Sequence, residues 1–205
     1  QRYAKEIKIP VKTLSYEQLF SKNKVKINTD NLSIMFFFPF KFWDKNCEIP
    51  KDTSIYGVSK QSYEIFKEFW QDVKNNLGKR FSDKNVSYII NPDYAALDRD
   101  KIKIHDLLQK SGIATTITLP KNLEVILNIS ENEGVFIKSR YGALGKGITY
   151  LSKKGWFTNY KIGRKNNVEN YLDIKDWKFS EITDNKDFLK NLLDLEVIIE
   201  KEIKS

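Results

Sequence analysis

The spacing of apolar residues along the chain predicts alternating strands and helices. Apolar runs at residues 32–40 and 86–92 predict two buried strands. Between them, the stretch 59–81 predicts a helix, and Gly78 offers its C-terminal end. Apolar side chains recur there at three- and four-residue steps: Tyr63, Phe66, Phe69, Trp70 and Val73. This order of strand, helix and strand is typical of an α/β arrangement.

The second half of the chain continues the alternation. Residues 98–112 are predicted to form a helix capped by Asp98, and residues 185–193 a shorter one. Residues 123–130 fit either a helix or a strand, and residues 195–205 predict a final strand. Asn91 and Pro92 form a dipeptide that is typical of turns and loops, so we expect the domain boundary near residues 92–98.

The stretch GVFIKSRYGALGKGITYL, residues 134–151, has two apolar segments separated by Gly142, Gly145 and Gly147. It predicts two strands joined by a flexible turn, with Lys138 on the strand that enters the turn. Neither G-x-x-x-x-G-K-[ST] nor G-x-G-x-x-G matches the spacing. By itself the stretch fits both an ordinary hairpin and a loop that covers phosphates, since glycine allows the backbone to approach oxygen atoms closely.

Composition and charge narrow the classes of protein. The chain has 205 residues, of which 40% are hydrophobic, and 13 Phe with 10 Tyr argue for a packed core. Its formal net charge of +8 favours an anionic partner, which could be nucleic acid, a phosphate compound or an acidic peptide. Nucleic acid is the less favoured partner, because the lysines are spread along the chain rather than gathered in one block.

Single cysteine and histidine residues exclude several kinds of chemistry. With Cys47 alone, an intrachain disulfide and a cysteine-based zinc site cannot form. His105 is the only histidine, so a multi-histidine metal site is excluded, and we expect it to have a structural role. No apolar run approaches the roughly 18 residues of a membrane helix. These features predict a cytoplasmic protein that does not span a membrane.

Three segments resemble motifs of the ATP-grasp superfamily, in the same order. They are LDRDKIKIHDLLQKSGIATTITL, the glycine stretch with its lysine strand, and LEVIIEKEI, which together cover residues 97–151 and 195–203. The likeness is greatest to the branch of ribosomal-protein glutamate ligases and glutathione synthetases. It implies an α/β fold, with an α/β domain of the type that precedes the ATP-grasp fold in residues 1–96. Residues 97–205 would then be the small α+β subdomain that ends at the hinge strand.

The resemblance also implies an ATP site, with ATP and Mg²⁺ as cofactors. Its residues would be Lys101, Lys138, Gly142, Ala143, Leu144, Gly145, Lys146, Gly147, Glu200, Lys201 and Ile203. Lys101 would contact the α-phosphate region, and Lys138 would bridge the α- and β-phosphates. The glycine stretch would lie over the β- and γ-phosphates. Glu200 and Lys201 would offer backbone groups to adenine, and Ile203 apolar and backbone contact.

The chain also departs from the family pattern. Ser139 replaces the usual proline after the strand lysine, Ala114–Thr116 replaces a Pro-x-Pro, and residues 152–194 form a longer and more basic connection than in compact members. No segment matches the second half of the fold, where the family carries the arginine for substrate phosphate and the magnesium ligands. We therefore expect the sequence to be a fragment, inactive by itself, of a longer protein.

The function implied for that intact protein is an ATP-dependent carboxylate–amine ligase that forms an acyl-phosphate intermediate. The carboxylate and amine substrates are not specified by the sequence, and a peptide or a protein could be one of them. Two alternatives remain open at this point. The chain could be a non-catalytic module that binds a nucleotide or a peptide, or a basic protein that binds nucleic acid.

Overall fold

The computed structural model describes residues 10–21, 25–38, 41–42, 59–142, 145–160, 164–165, 168–169, 178–182 and 185–203. The chain divides into two compact units. One comprises Gln1–Glu48 with Glu68–Asp93, and the other comprises Ile49–Lys67 with Tyr94–Ser205. The prediction of a mixed α/β protein is confirmed, since helices and sheets occur together along the chain.

The first unit contains a short capped helix and two paired strands. Helix α1, Tyr16–Phe20, starts with a capping box in which the Ser15 hydroxyl accepts from the Gln18 N–H and the Gln18 side chain accepts from the Ser15 N–H. Strands β1, Asn31–Ile34, and β2, Asn85–Tyr88, are parallel neighbours. The long helix α2, Lys60–Arg80, separates them in sequence.

Helix α2 buries the predicted row of apolar side chains. Each of the five is at most 6% exposed: Tyr63, Phe66, Phe69, Trp70 and Val73. The Trp70 ring meets Phe36 edge-on at 5.3 Å between centroids. The predicted end at Gly78 is wrong, because the helix continues to Arg80, whose guanidinium donates to the carbonyls of Gln18 and Ser21.

The predicted strands at 32–40 and 86–92 are shorter and more exposed than expected. Among their described residues, Phe37 is 73% exposed and Ile89 is 65% exposed. Both residues lie beyond the ends of the strands, which are Ile34 and Tyr88. Phe36 packs on Trp70 of α2, whereas its neighbour Phe37 is left in solvent. The prediction that both strands are buried was wrong, because burial of both faces requires a second covering layer, and a run of apolar residues does not show whether that layer exists.

The second unit is built on an antiparallel sheet with helices. A 3₁₀ turn at Leu97–Arg99 precedes the helices α3, Lys101–Lys110; α4, Leu123–Ser130; and α5, Lys186–Leu193. Its strands are β3, Val135–Ser139; β4, Ile148–Ser152; β5, Gly155–Thr158; β6, Arg164–Lys165; β7, Val168–Glu169; β8, Ser180–Glu181; and β9, Val197–Lys201. Five of them form one sheet in the order β8-β5-β4-β3-β9, and β6 pairs with β7 separately.

Polar side chains fix where these helices begin. The cap of α3 is Asp100, whose carboxylate accepts from the Lys103 N–H, and the predicted cap Asp98 lies in the preceding 3₁₀ turn. The Asp98 prediction is therefore wrong, by two residues. Asn122 and Asn185 cap α4 and α5 in the same way. The ambiguous stretch 123–130 is thus a helix.

One face of the five-stranded sheet packs against α4 and α5. The buried cluster there consists of Ile126, Val135, Ile137, Leu151, Tyr160, Leu189, Leu192, Val197 and Ile199. Because side chains alternate along a strand, Phe136, Lys138, Tyr150 and Glu200 lie on the opposite face of the sheet. That opposite face carries the candidate site. None of the helices in the described part of the chain has the length and apolar character needed to cross a membrane.

Candidate functional site

The glycine stretch forms the turn of an antiparallel hairpin. β3 and β4 pair in register from Val135 opposite Leu151 to Lys138 opposite Ile148, which confirms the predicted hairpin. Of the predicted turn residues, Ala143 and Leu144 lie outside the described part of the chain. Gly145 and Gly147 have φ angles of 73° and 68°, the left-handed conformation that other residues rarely adopt.

Asn159, just after β5, holds this turn in place. Its side-chain amide donates to the Gly145 carbonyl at 2.6 Å, and its side-chain oxygen accepts from the Ile148 N–H at 2.8 Å. The Ser139 N–H adds a bond of 2.7 Å to the Gly147 carbonyl. Sequence reasoning missed Asn159, because the contact to Gly145 spans 14 residues and an asparagine after a strand is common.

We expect Gly145→Ala to destabilise the chain by about 1–2 kcal/mol, the cost of a left-handed conformation for a residue with a Cβ. A Cβ at Gly145 would meet no atom within 4 Å, so backbone strain alone sets the effect. Gly78→Ala is the matched control, since Gly78 lies in helix α2 and its Cβ also meets nothing within 4 Å. That control should stabilise by about 0.5–1 kcal/mol. Urea unfolding of both variants measures this difference, and equal effects would contradict it.

Lys138 lies on the candidate face and forms an ion pair across the sheet. Its ammonium donates to the carboxylate of Glu200 on β9, which is 9% exposed. The same ammonium lies 5.3 Å from the centre of the Phe136 ring. Lys138 is opposite Ile198 in register, so the contact with Glu200 is a diagonal one between neighbouring strands.

Lys101, the first residue of α3, contacts the end of β3 and the start of the glycine turn. Its ammonium donates to the Ser139 carbonyl at 2.8 Å and to the Gly142 carbonyl. Burial, and next the charge of Lys138, lower the pKa of Lys101 from 10.5 to about 8. Arg99 lowers this pKa further, while Glu200 and Asp98 raise it.

Arg140 and Asp100, next in sequence to Ser139 and Lys101, form a second ion pair. The guanidinium donates to both carboxylate oxygens, from Nε at 2.8 Å and from Nη2 at 2.9 Å. Asp100 is fully buried; burial pushes its pKa up, but the bonds from Arg140 and the Lys103 N–H hold it below its ordinary value. The Arg140 guanidinium is thus engaged with Asp100.

Three predicted residues have other surroundings: Lys146, Lys201 and Ile203. Lys146 is partly buried, and burial with the charge of Arg99 lowers its pKa. The Lys201 N–H donates to the Ile117 carbonyl at 2.9 Å, so an adenine that used this group would have to displace residue 117. Ile203 is 72% exposed. A backbone role of Glu200 and Lys201 at an adenine stays a prediction.

The described residues include no group of three or more His, Cys, Asp or Glu placed to hold a metal ion. Comparison of the chain with protein-family models, with curated proteins and with solved structures gave no match. The chemistry of the site therefore has to be argued from its own geometry. Two ammonium groups lie beside a glycine turn, and among the described residues Glu200 is the carboxylate paired with one of them, Lys138. This arrangement is suited to a polyphosphate.

Proposed function

We propose that the chain binds ATP on the sheet face that carries Lys138, as the nucleotide-binding part of an ATP-dependent carboxylate–amine ligase. The observation that carries this proposal is the convergence of Lys101 and Lys138 at the glycine turn. Lys101 begins a helix, and Lys138 lies on a strand further along the chain. The Lys101 ammonium donates to the carbonyl of Ser139, the residue after Lys138, and the charge of Lys138 lowers the pKa of Lys101.

The charge balance at this place supports an anionic ligand. Only Glu200 among the described carboxylates pairs with Lys138, and the ammonium of Lys101 is held by neutral carbonyl groups. Burial, and next the charge of Lys138, lower the pKa of Lys101, so a further negative charge beside its ammonium would be favourable. Phosphate oxygens would supply this negative charge, and charge-assisted bonds to phosphate are the stronger kind.

The sheet itself supports the ATP-grasp interpretation. The lysine strand β3 lies between the strand that leaves the glycine turn, β4, and the proposed hinge strand, β9. This brings two of the three resembling motifs into one sheet, and Lys101 of the third motif donates to the carbonyl of Ser139. In this proposal residues 97–205 are the small nucleotide-flap subdomain, and residues 1–96 are the α/β domain that precedes it.

In the proposed reaction the terminal phosphoryl group of ATP moves to a carboxylate, which gives ADP and an acyl phosphate. An amine then attacks the acyl carbon, phosphate leaves, and an amide forms. Lys101 and Lys138 would hold the nucleotide and offset its charge, since catalysis of phosphoryl transfer is mostly positioning and electrostatics. The proposal assigns no magnesium ligand among the described residues.

We expect ATP to bind at pH 7 and the affinity to fall by about tenfold or more as the pH rises well above the pKa of Lys101. The ammonium is charged below a pKa of about 8 and becomes neutral above it, so an anionic ligand loses one partner. Lys101→Arg keeps its charge from pH 7 to about pH 10, so its affinity for ATP should change little over this range. Isothermal titration with ATP at several pH values in this range measures the affinity of the wild type and of the variant.

Two results would contradict the proposal. One is the absence of ATP binding at neutral pH by the folded chain. The other is salt-sensitive binding of RNA or DNA that ATP does not displace, which would favour a basic nucleic-acid-binding protein instead.

A further inference from the structure

We propose that Asp100 is a positioning residue, which through its paired contacts with Arg140 holds the Lys101 side chain at the phosphate end of the site. The inference rests on the proposed ATP site, because it concerns how one of its two lysines is kept in place. It assigns a role to a carboxylate that does not itself contact the nucleotide.

The contacts of Asp100 are unusually complete for a single carboxylate. One oxygen accepts from the Lys103 N–H at 3.3 Å and from the Arg140 Nε at 2.8 Å, and the other accepts from the Arg140 Nη2 at 2.9 Å. The side chain is 1% exposed. A carboxylate taken out of water at this depth costs free energy unless it is paired and hydrogen-bonded, and all of its partners here are donors.

These contacts join the start of α3 to the end of β3. Asp100 caps α3, so it decides where the helix begins and in which direction its first residue, Lys101, leaves the backbone. The Lys101 N–H donates to the Arg140 carbonyl at 3.1 Å, and the Arg140 N–H donates to the Glu196 carbonyl at 2.9 Å. Main chain and side chain therefore both tie the helix start to the strand.

The Lys101 ammonium is held within the same set of contacts. Its two acceptors, the carbonyls of Ser139 and Gly142, lie on either side of Arg140 in sequence. Burial and the charge of Lys138 disfavour the charged form of Lys101, so an unconstrained lysine would turn toward water. The Asp100–Arg140 pair fixes both the helix that carries the lysine and the backbone that receives it. Removal of this pair should release the ammonium.

A double-mutant cycle tests this role directly. Asp100→Asn keeps the size of the side chain and removes its charge, and we expect it to weaken ATP binding about tenfold. In a Lys101→Met background the same substitution should add less than about twofold, because it acts through a lysine that is no longer present. Asp106→Asn is the matched control, since Asp106 is an exposed residue of the same helix and the change in net charge is identical.

A second measurement does not depend on ATP. The pKa of Lys101, followed by NMR of the lysine side chain in the unliganded chain, should rise in Asp100→Asn from about 8 toward 10.5. Loss of a nearby negative charge would by itself lower this pKa, so a rise shows that Lys101 has left its buried position. Arg140→Lys, which keeps the charge but not the fork of two bonds, should give an intermediate pKa and serves if Asp100→Asn does not fold.

The outcomes separate the inference from the proposed function. Failure of the wild-type chain to bind ATP would overturn the proposed function, while the NMR titration would still decide the role of Asp100. If ATP binds, full additivity in the cycle together with an unchanged pKa of Lys101 overturns the inference. A loss of stability in Asp100→Asn with wild-type affinity and wild-type pKa would overturn it as well, since Asp100 would then be structural only. Non-additivity with a raised pKa supports it.

Discussion

Lys138→Met is expected to weaken the binding of ATP by roughly tenfold to a hundredfold, the range for losing a hydrogen bond to a charged group at about 1.5–3 kcal/mol. The methionine keeps most of the side-chain length on the candidate face, where Lys138 lies beside Phe136 and Glu200. It removes one of the two ammonium groups that the proposal places against the phosphates. Isothermal titration at pH 7, where Lys101 remains charged, measures the effect of Lys138 alone.

Two further variants separate a binding role from a structural one. Lys138→Met leaves Glu200, which is 9% exposed, without its ion-pair partner, and we expect this to destabilise the sheet. Adding Glu200→Gln removes the stranded charge, so the double variant should regain stability without regaining affinity. Lys153→Met, at the exposed turn between β4 and β5, makes the same change in charge and should leave ATP binding unchanged. Equal weakening by both lysine substitutions would show a non-specific effect of net charge.

The elements that sequence predicted correctly are those encoded by short-range patterns. The apolar residues of α2 from Tyr63 to Val73 recur at helical spacing over about three turns, and burial of that row follows from its periodicity. The hairpin at residues 134–151 was predictable because strand-forming segments flank glycines, two of which have positive φ angles. In both cases neighbours along the chain decide the conformation.

The contacts that sequence did not predict join residues that are far apart along the chain. Asp100 and Arg140 are 40 residues apart, and Lys138 and Glu200 are 62 residues apart. A charged residue in a local pattern gives no indication of its partner, because sheet order and helix position set the pairing. For the same reason the exposure of Phe37 could not be foreseen, since it depends on whether another layer covers the segment that follows β1.

The prediction for Glu200 illustrates the difference. The resemblance implied a backbone contact to adenine at this position, which stays a prediction, and the structure shows that the side chain accepts from Lys138. Phe136 lies opposite Glu200 in register, so Lys138 and Glu200 meet diagonally over one aromatic ring. In the proposed site Glu200 therefore keeps Lys138 oriented before ATP arrives, and it competes with phosphate for the ammonium.

Arg140→Met is expected to destabilise the chain by about 3–5 kcal/mol at pH 7, because it removes one partner of a buried ion pair. Asp100, which is fully buried, would keep its charge without the two bonds from the guanidinium. The partial exposure of Arg140 lets water reach one side of the pair, so the lower end of this range is the better expectation. Urea unfolding of wild type and variant measures the difference.

The pH dependence of this difference has a defined sign. In the wild type the pKa of Asp100 is held below its ordinary value, so its contribution to stability is present above about pH 4 and is lost as the pH falls through the folded-state pKa. In Arg140→Met, burial without the guanidinium would raise the pKa of Asp100. As the pH falls, Asp100 would therefore be protonated in the variant before it is protonated in the wild type, and the cost of its buried charge would be removed. The gap in stability should therefore narrow between pH 7 and about pH 4. The double variant Asp100→Asn/Arg140→Met leaves neither charge of this pair, and it should lose less stability than Arg140→Met alone. If instead the difference in stability between wild type and Arg140→Met were the same at all pH values, Arg140 would stabilise the fold through packing rather than through this pair.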